Sequence, residues 1–248
     1  IISKSLHLKK VYRKARRNED GTGEALIGDL PSDATLFLEN GVKFSVDIIK
    51  GQKTGFFLDQ RENRQRIGKL TKNKTVLNLF GYTGGFSIYA GINGATKVTT
   101  MDLAKPAIAA ANENWILNNL DPKLHDGIAE DAFSFLEDAK SKKLIWDVVI
   151  VDPPSFAHSA DSVEDAKKSY HRLFTAALLA VAKGGIIATS SCSSHIDQGM
   201  FLEICQEALS TTRRRGTLIG LYGQPEDHPY PLACSDLCYL KFAMIGVE

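Results

Sequence analysis

From Lys74 onward the chain repeats one pattern: a short apolar run, then a longer stretch whose apolar residues recur every three or four positions. The short runs are "TVLNLF" (75–80), "KVTTMD" (97–102), "HDGIAE" (125–130), "WDVVIVD" (146–152) and "GGIIATSS" (184–191). Their length and β-rich composition predict strands. Between them, "LAKPAIAAANENWILNNL" (103–120) has helical spacing. So does the second half of "DAKKSYHRLFTAALLAVAKGG" (165–185), which assigns Leu173, Phe174, Ala177 and Leu178 to the core. Strand and helix in alternation predict an α/β fold, Rossmann-like, with a mostly parallel seven-stranded sheet and helices on both faces. The last two apolar runs, "GTLIGLYG" (216–223) and "CYLKFAMIG" (238–246), have no helical pattern between them and predict a C-terminal antiparallel hairpin at the sheet edge.

The first fifty residues read differently. "TLFLENGVKFSVDI" (35–48) alternates apolar and polar residues around Asn40-Gly41, the strongest short hairpin signal. Residues 1–50 are therefore expected to form a small β unit, and residues 51–248 the α/β domain.

Composition narrows the class. With 44% apolar and 24% charged residues among 248, the chain can bury a core, and it lacks any apolar run long enough to cross a bilayer, so no membrane partner is expected. Thirty basic against twenty-nine acidic residues give a net charge of +1, which leaves a polyanionic partner open. The densest basic stretch, "KKVYRKARR" (9–17), reads either as a solvated strand or as a nucleic-acid contact. Cys192, Cys205, Cys234 and Cys238 show no CxxC spacing and no histidine ligand pattern, so neither metal nor disulfides are expected, which fits a reducing cytoplasm. The chain begins with isoleucine and no signal-peptide pattern, so N-terminal sequence is expected to be missing from it.

The candidate chemistry lies where the strands end. In an open α/β sheet, ligands bind at the carboxyl ends of the strands, and a glycine turn after the first strand lets them approach backbone. Gly81, Gly84 and Gly85 occupy that place, spaced G-x-x-G-G rather than as a dinucleotide fingerprint. Asp102 ends the second strand about twenty residues on, where a carboxylate can accept from both ribose hydroxyls. Asp131 follows the third strand and could accept from an adenine amine, although either acid taken alone also reads as a helix cap. Asp152 ends the fourth strand, and Pro153 behind it presents a carbonyl on a stiffened turn. Cys192 follows the fifth strand among serines, where a thiol can attack a bound substrate. Cys205, Cys234 and Cys238 are assigned to packing. His195 and His228 read as surface residues or as groups near the thiol and the substrate.

"LDQREN" (58–63), "LNLFGYTGGFSIYA" (77–90), Asp102, Asp131, "VDPPSFA" (151–157), "SSCSS" (190–194), "EDHP" (226–229) and "YLK" (239–241) follow one another in a familiar order. Together they resemble the RlmI-type family of class I S-adenosylmethionine-dependent ribosomal RNA (cytosine-C5) methyltransferases, over about residues 42 to 241. The resemblance implies S-adenosyl-L-methionine as cofactor and RNA, large-subunit ribosomal RNA in particular, as partner. It implies that Phe80, Gly81, Tyr82, Thr83, Gly84 and Gly85 surround the methionine part of the cofactor. It further implies that Asp102 with Leu103 holds the ribose, that Asp131 with Ala132 reads the adenine, and that Gln60, Arg61 and Asp152 complete the pocket. Cys192 matches the family nucleophile, with Asp152 and Pro153 gripping the cytosine. The family's N-terminal PUA domain would be the missing sequence. Ser235 and Asp236 depart from the family's Pro-Glu pair, and Ser155 stands where some relatives have lysine. The competing readings are an RNA methyltransferase acting on an amine or ring nitrogen without a covalent intermediate, and a non-catalytic nucleotide-binding module.

Overall fold

A computed structural model of the chain describes residues 5–15, 23–30, 34–157 and 160–248, less the side chains of Ala160 and Asp236. The chain divides into two compact units, Ile1–Leu58 and Asp59–Glu248.

In the first unit, β1 (Val11–Arg13) pairs antiparallel with β2 (Glu24–Ile27), and β3 (Thr35–Glu39) with β4 (Val42–Val46). The β3–β4 turn is Asn40-Gly41, with φ of 49° and 81°. Two left-handed residues make the hairpin turn whose twist matches that of the strands it joins. The alternation then buries Val42, Phe44 and Val46, and Phe44 packs with its ring centroid 5.6 Å from that of Phe37 and 4.7 Å from that of Phe56. Of the basic stretch, Arg13 pairs with Glu24 at 2.9 Å, and Lys14 donates to the carbonyls of Gly51 and Lys53. These two charges are therefore engaged within the unit, while Arg16 and Arg17 lie outside the described residues.

The second unit carries a seven-stranded sheet: β5 (Thr75–Leu79), β6 (Lys97–Asp102), β7 (His125–Ala129), β8 (Trp146–Val151), β9 (Val181–Ser191), β10 (Gly216–Tyr222) and β11 (Lys241–Val247). Its order is β10-β11-β9-β8-β5-β6-β7, with β5 to β9 parallel and β11 antiparallel to both neighbours. The terminal hairpin forms as the sequence suggests, with β11 inserted beside β9 and β10 left at the edge. β9 starts three residues earlier than its apolar run: Val181 pairs with Trp146, and the ladder then shifts register around Gly184, whose φ is 75°.

Among the described residues of this unit, α1 (Arg61–Gly68) precedes β5, and α2 (Gly85–Ile92), α3 (Lys105–Leu117), α4 (Ala132–Ser141), α5 (Val163–Leu178) and α6 (Gln198–Thr211) connect the strands. The two-residue strand period sorts them onto two faces. Leu77, Leu79, Val149, Val151 and Ile187 pack against Phe135, Phe174 and Phe201 of α4, α5 and α6. Leu173, Phe174, Ala177 and Leu178 are all buried in that core. On the opposite face Asn78 donates to Ser87 of α2 at 2.9 Å, Ser87 meets Thr100 at 2.6 Å, and Thr100 meets the His125 ring at 2.6 Å. Burial pushes His125 down to about 4, against a weaker pull from Asp126, so it completes this chain as a neutral imidazole. From β5 the chain runs outward through β6 and β7, then crosses back to β8 and β9, so the switch point lies between β5 and β8. A crevice at their carboxyl ends follows from that reversal.

Candidate active site

The turn after β5 is built from unusual backbone. Phe80 and Tyr82 have φ of 58° and 46°, and Gly84 has 83°. A left-handed non-glycine residue costs roughly 1–3 kcal/mol and persists only where its surroundings hold it. Here the Tyr82 N–H donates to Asp102 Oδ2 and the Gly81 N–H to the Met101 carbonyl, both at 2.9 Å. Gly81 has no room for a side chain, because a Cβ would lie 2.5 Å from Thr100 Cγ2 and 2.9 Å from Asn78 Nδ2. At Gly84 a Cβ would lie 3.0 Å from that of Ala111, so this glycine also seats α2 against α3. Protein contacts thus fix two of the three glycines independently of any ligand. Gly85 opens α2, and the carbonyl of buried Thr83 accepts from Asn114 at 3.1 Å.

The two acids divide between the alternatives that the sequence leaves open. Asp131 is a helix cap: its Oδ1 accepts from the Phe133 and Ser134 N–H groups at 3.0 Å each. Asp102 is not, since Ala104 holds the cap position of α3. Its half-buried carboxylate instead accepts the Tyr82 N–H through Oδ2 and the Ala104 N–H through Oδ1, at 2.9 Å each. A carboxylate offers about four lone-pair sites, so these amides aim Asp102 and leave it capacity for two hydroxyl donors. The acids end adjacent strands, because Asp102 pairs with Ala129 in the β6–β7 ladder. Leu103 beside Asp102 is 72% exposed, while Ala132 is buried. An aimed carboxylate at the strand end, an exposed apolar side chain next to it and a second acid one strand away fit the ribose and adenine of S-adenosylmethionine.

Across the switch point, Asp152 and Cys192 directly follow β8 and β9, and the β8–β9 register sets Val151 opposite Thr189. Gln60 bridges these strand ends, donating to Asp152 Oδ1 at 2.9 Å and lying 3.1 Å from Ser190 Oγ. Asn63 orients Gln60 by donating to its Oε1 at 2.7 Å. Asp152 is raised from 3.8 to about 6, by burial first and by the Asp59 carboxylate, against the bonds from Ser190 and Gln60 and the charge of Arg64. It can therefore hold a proton up to about pH 6. Pro153 behind it is buried. Cys192 is half-buried and outside any disulfide. The residues on either side of it are anchored: Ser191 Oγ donates to Tyr170 at 3.1 Å, and Ser193 Oγ to the Ala157 carbonyl at 3.1 Å.

Several members of this edge escape sequence reasoning. Asp59, Asn63, Tyr239 and Lys241 stand inside the quoted "LDQREN" and "YLK" stretches, but no spacing rule gives them roles. Tyr239 donates to Asp59 Oδ2 at 2.8 Å, and its hydroxyl is held well above the usual phenol range by burial and that carboxylate. Arg61 pairs with Glu62 and with Asp227, and Asp227 also pairs with His228 at 2.9 Å. Arg61 thereby ties the "DHP" loop to the start of α1. Cys205 is core, with its thiol pushed up to about 11 by burial. Cys234 and Cys238 are exposed, which corrects their assignment to packing: they sit in the irregular turns between β10 and β11, where no sheet or helix face covers them. His158 and the Asp236 side chain lie outside the described residues. Among the described residues no cluster of three metal-ligating side chains occurs, and no helix is long and apolar enough to cross a membrane.

Sheet order, the switch point between β5 and β8 and the two acids at the strand ends define the Rossmann-like fold of class I methyltransferases. SMU.776, described as a methyltransferase and solved with S-adenosylhomocysteine, superposes with a TM-score of 0.88 at 30% identity, covering 99% of this chain and 63% of that one. A tRNA m1G37 methyltransferase from M. jannaschii shares the fold at a TM-score of 0.65 and 21% identity, over 97% of this chain and 63% of that one. Residues 2–213 match the model of the S-adenosylmethionine-dependent methyltransferase family, and the chain belongs to that family. S-Adenosyl-L-methionine is the family's cofactor. The chain is 39% identical over 229 residues to ribosomal RNA large subunit methyltransferase I of Aeromonas salmonicida, and 36% identical over 226 residues to a ribosomal RNA large subunit methyltransferase of Deinococcus radiodurans. These matches take in 92% and 91% of the chain but only 58% and 55% of the relatives, so the chain spans little more than half their length.

Proposed function

We propose that the chain is the catalytic part of a large-subunit ribosomal RNA methyltransferase that forms 5-methylcytosine through a covalent adduct of Cys192. The observation that carries this reading is the pairing, at neighbouring strand ends, of a half-buried thiol with a carboxyl group raised to about 6. S-Adenosylmethionine, when bound, supplies an electrophilic methyl group on sulfonium. Phe80, Gly81, Tyr82, Thr83, Gly84 and Gly85 would line its methionine part. Asp102 would hold the ribose, Leu103 would cover the adenine ring, and Asp131, through the oxygen not used by the cap, would take the adenine amine alongside Ala132. Gln60 aims Asp152, and Arg61 anchors the loop above it.

Carbon 5 of cytosine is a poor nucleophile. Addition of the Cys192 thiolate at C6 makes C5 an enamine carbon and splits the difficult step in two. Asp152, protonated, donates to N3 and draws electrons from C6, while the Pro153 carbonyl accepts from the N4 amine. Loss of the C5 proton after methyl transfer expels Cys192 as thiolate. A cytosine stacked in a helix hides its C5 and C6 from a thiol, so the base must be unpaired or flipped. Residues 51–248 form the methyltransferase domain in this reading, residues 1–50 a small β unit, and the compartment is the cytoplasm.

The test uses methyl-labelled cofactor and ribosomal RNA from a strain lacking the gene, followed by nucleoside mass spectrometry. Labelled 5-methylcytosine is expected from the wild type and none from Cys192→Ala, which keeps its cofactor affinity in calorimetry. Methylated guanine or adenine, or an unimpaired Cys192→Ala enzyme, would contradict the reading.

A further inference from the structure

Lys241 opens β11 opposite Ser191, and only 5% of its surface is exposed. A buried ammonium is costly unless it is hydrogen-bonded or paired. Lys241 donates to the carbonyl of Ser193, the residue after Cys192, and to that of Tyr239. Those bonds alone would make it a strut. The Cys192 turn, however, already has neutral struts in the Ser191–Tyr170 and Ser193–Ala157 bonds. What Lys241 adds to that edge is positive charge.

The geometry points to Lys241 as the positioning residue of Cys192: its ammonium, held against the Ser193 carbonyl, favours the thiolate form of the neighbouring sulfur. Supporting this, Lys241 is lowered to about 8 by burial, and the first charge opposing that fall is Cys192, ahead of Cys238 and Asp197. An attraction between two groups is the same energy seen from either side, so Lys241 stabilises the Cys192 thiolate as the thiolate stabilises Lys241. The other groups at this edge are the phenols of Tyr170 and Tyr239, both raised in part by Cys192, the carboxyl groups of Asp152 and Asp59, which also act on Tyr170 and Tyr239 respectively, and Arg64, whose charge acts on Asp152. Neutral phenols and carboxyl groups do not compensate a thiolate, and the charge of Arg64 is felt at Asp152, which leaves the Lys241 ammonium as the counter-charge coupled to Cys192 among these groups. A nucleophilic cysteine needs its thiolate form, and a nearby cation is one of the ways to reach it. The inference rests on Cys192 being the nucleophile, but its test does not require turnover.

The rate of Cys192 alkylation by iodoacetamide is measured from pH 5.5 to 10 in wild type, Lys241→Met, Lys241→Gln and Lys241→Arg, with fragment ions separating Cys192 from Cys205 and the exposed Cys234 and Cys238. In Lys241→Met the midpoint is expected to rise by about one pH unit, so the rate at pH 6.5 falls roughly tenfold, while Lys241→Arg stays near wild type. Lys241→Gln keeps a donor for Ser193 without the charge, and supplies the same comparison should Lys241→Met fail to fold. An unchanged midpoint in either folded neutral variant overturns the inference. The two claims fail separately. A displaced midpoint in an enzyme that methylates guanine leaves Lys241 standing and removes the cytosine reading. An unmoved midpoint in an enzyme that makes 5-methylcytosine removes Lys241 alone.

Discussion

Replacing Gly81 with alanine isolates what holds the turn after β5 in place. The new methyl would stand 2.5 Å from Thr100 Cγ2 and 2.9 Å from Asn78 Nδ2, and neither neighbour is a loose end. Thr100 is fully buried and hydrogen-bonded to Ser87 and His125, and Asn78 is fully buried and bonded to Ser87. Overpacking of this kind costs about 1–3 kcal/mol. For a domain of this size ~2 kcal/mol lowers the melting temperature by roughly 4–8 °C. The turn that yields carries Tyr82, whose N–H aims Asp102, so the Kd for S-adenosylmethionine is expected to rise about tenfold, or ~1.4 kcal/mol. Thr100→Ser removes the offending methyl and keeps the hydroxyl in its network. In the Gly81→Ala background it should recover part of both losses, a coupling that calorimetry and thermal melts read as a double-mutant cycle. A Gly81→Ala protein as stable and as tight-binding as wild type would refute the packing argument, and so would two substitutions that simply add.

Two further outcomes follow from the acids. Asp152 keeps its proton in the folded chain up to about 6, against 3.8 in the unfolded chain, so the native state binds more protons between those values. The stability it contributes is present below about pH 4 and is lost as pH rises through about 6. Melting-temperature differences between Asp152→Asn and wild type should therefore grow in favour of the variant from pH 4 to 7, and a constant difference would refute the shift. Asp131→Asn should keep the cap of α4 but weaken cofactor binding, because in the proposed site its amide hydrogens would face the adenine amine. Asp131→Ala should lose both, with about 1 kcal/mol of stability gone with the cap. Equal cofactor affinity in all three proteins would leave Asp131 a cap and nothing more.

The strands, the hairpin turn and the strand-end acids were legible because each rests on a local rule: period two, Asn-Gly, and a carboxylate about twenty residues after a glycine turn. Legibility ended where contacts are distant in sequence. Gln60 meets Asp152 across 92 residues and Tyr239 meets Asp59 across 180, and no spacing announces either bond. Gly81 reads as a ligand cradle in the sequence, and its close approach to Thr100, which exists only once β5 and β6 are paired, adds a packing reason that no local rule announces. The sequence offers Cys234 and Cys238 no strand-end setting like that of Cys192, which leaves packing as their reading, whereas β11 begins only at Lys241 and both cysteines lie exposed in the turns before it. No spacing rule gives Lys241 a role, because its burial exists only once β11 lies between β9 and β10.

The covalent claim is met most directly by an RNA carrying 5-fluorocytosine at the target. Fluorine at C5 blocks the proton loss that would release the enzyme, so wild-type protein with S-adenosylmethionine should form a stable complex with its RNA. Mass spectrometry should then find the methylated fluoropyrimidine on Cys192, and none in Cys192→Ala. Full methylation activity on unmodified RNA with no trapped complex at Cys192 would contradict the nucleophile.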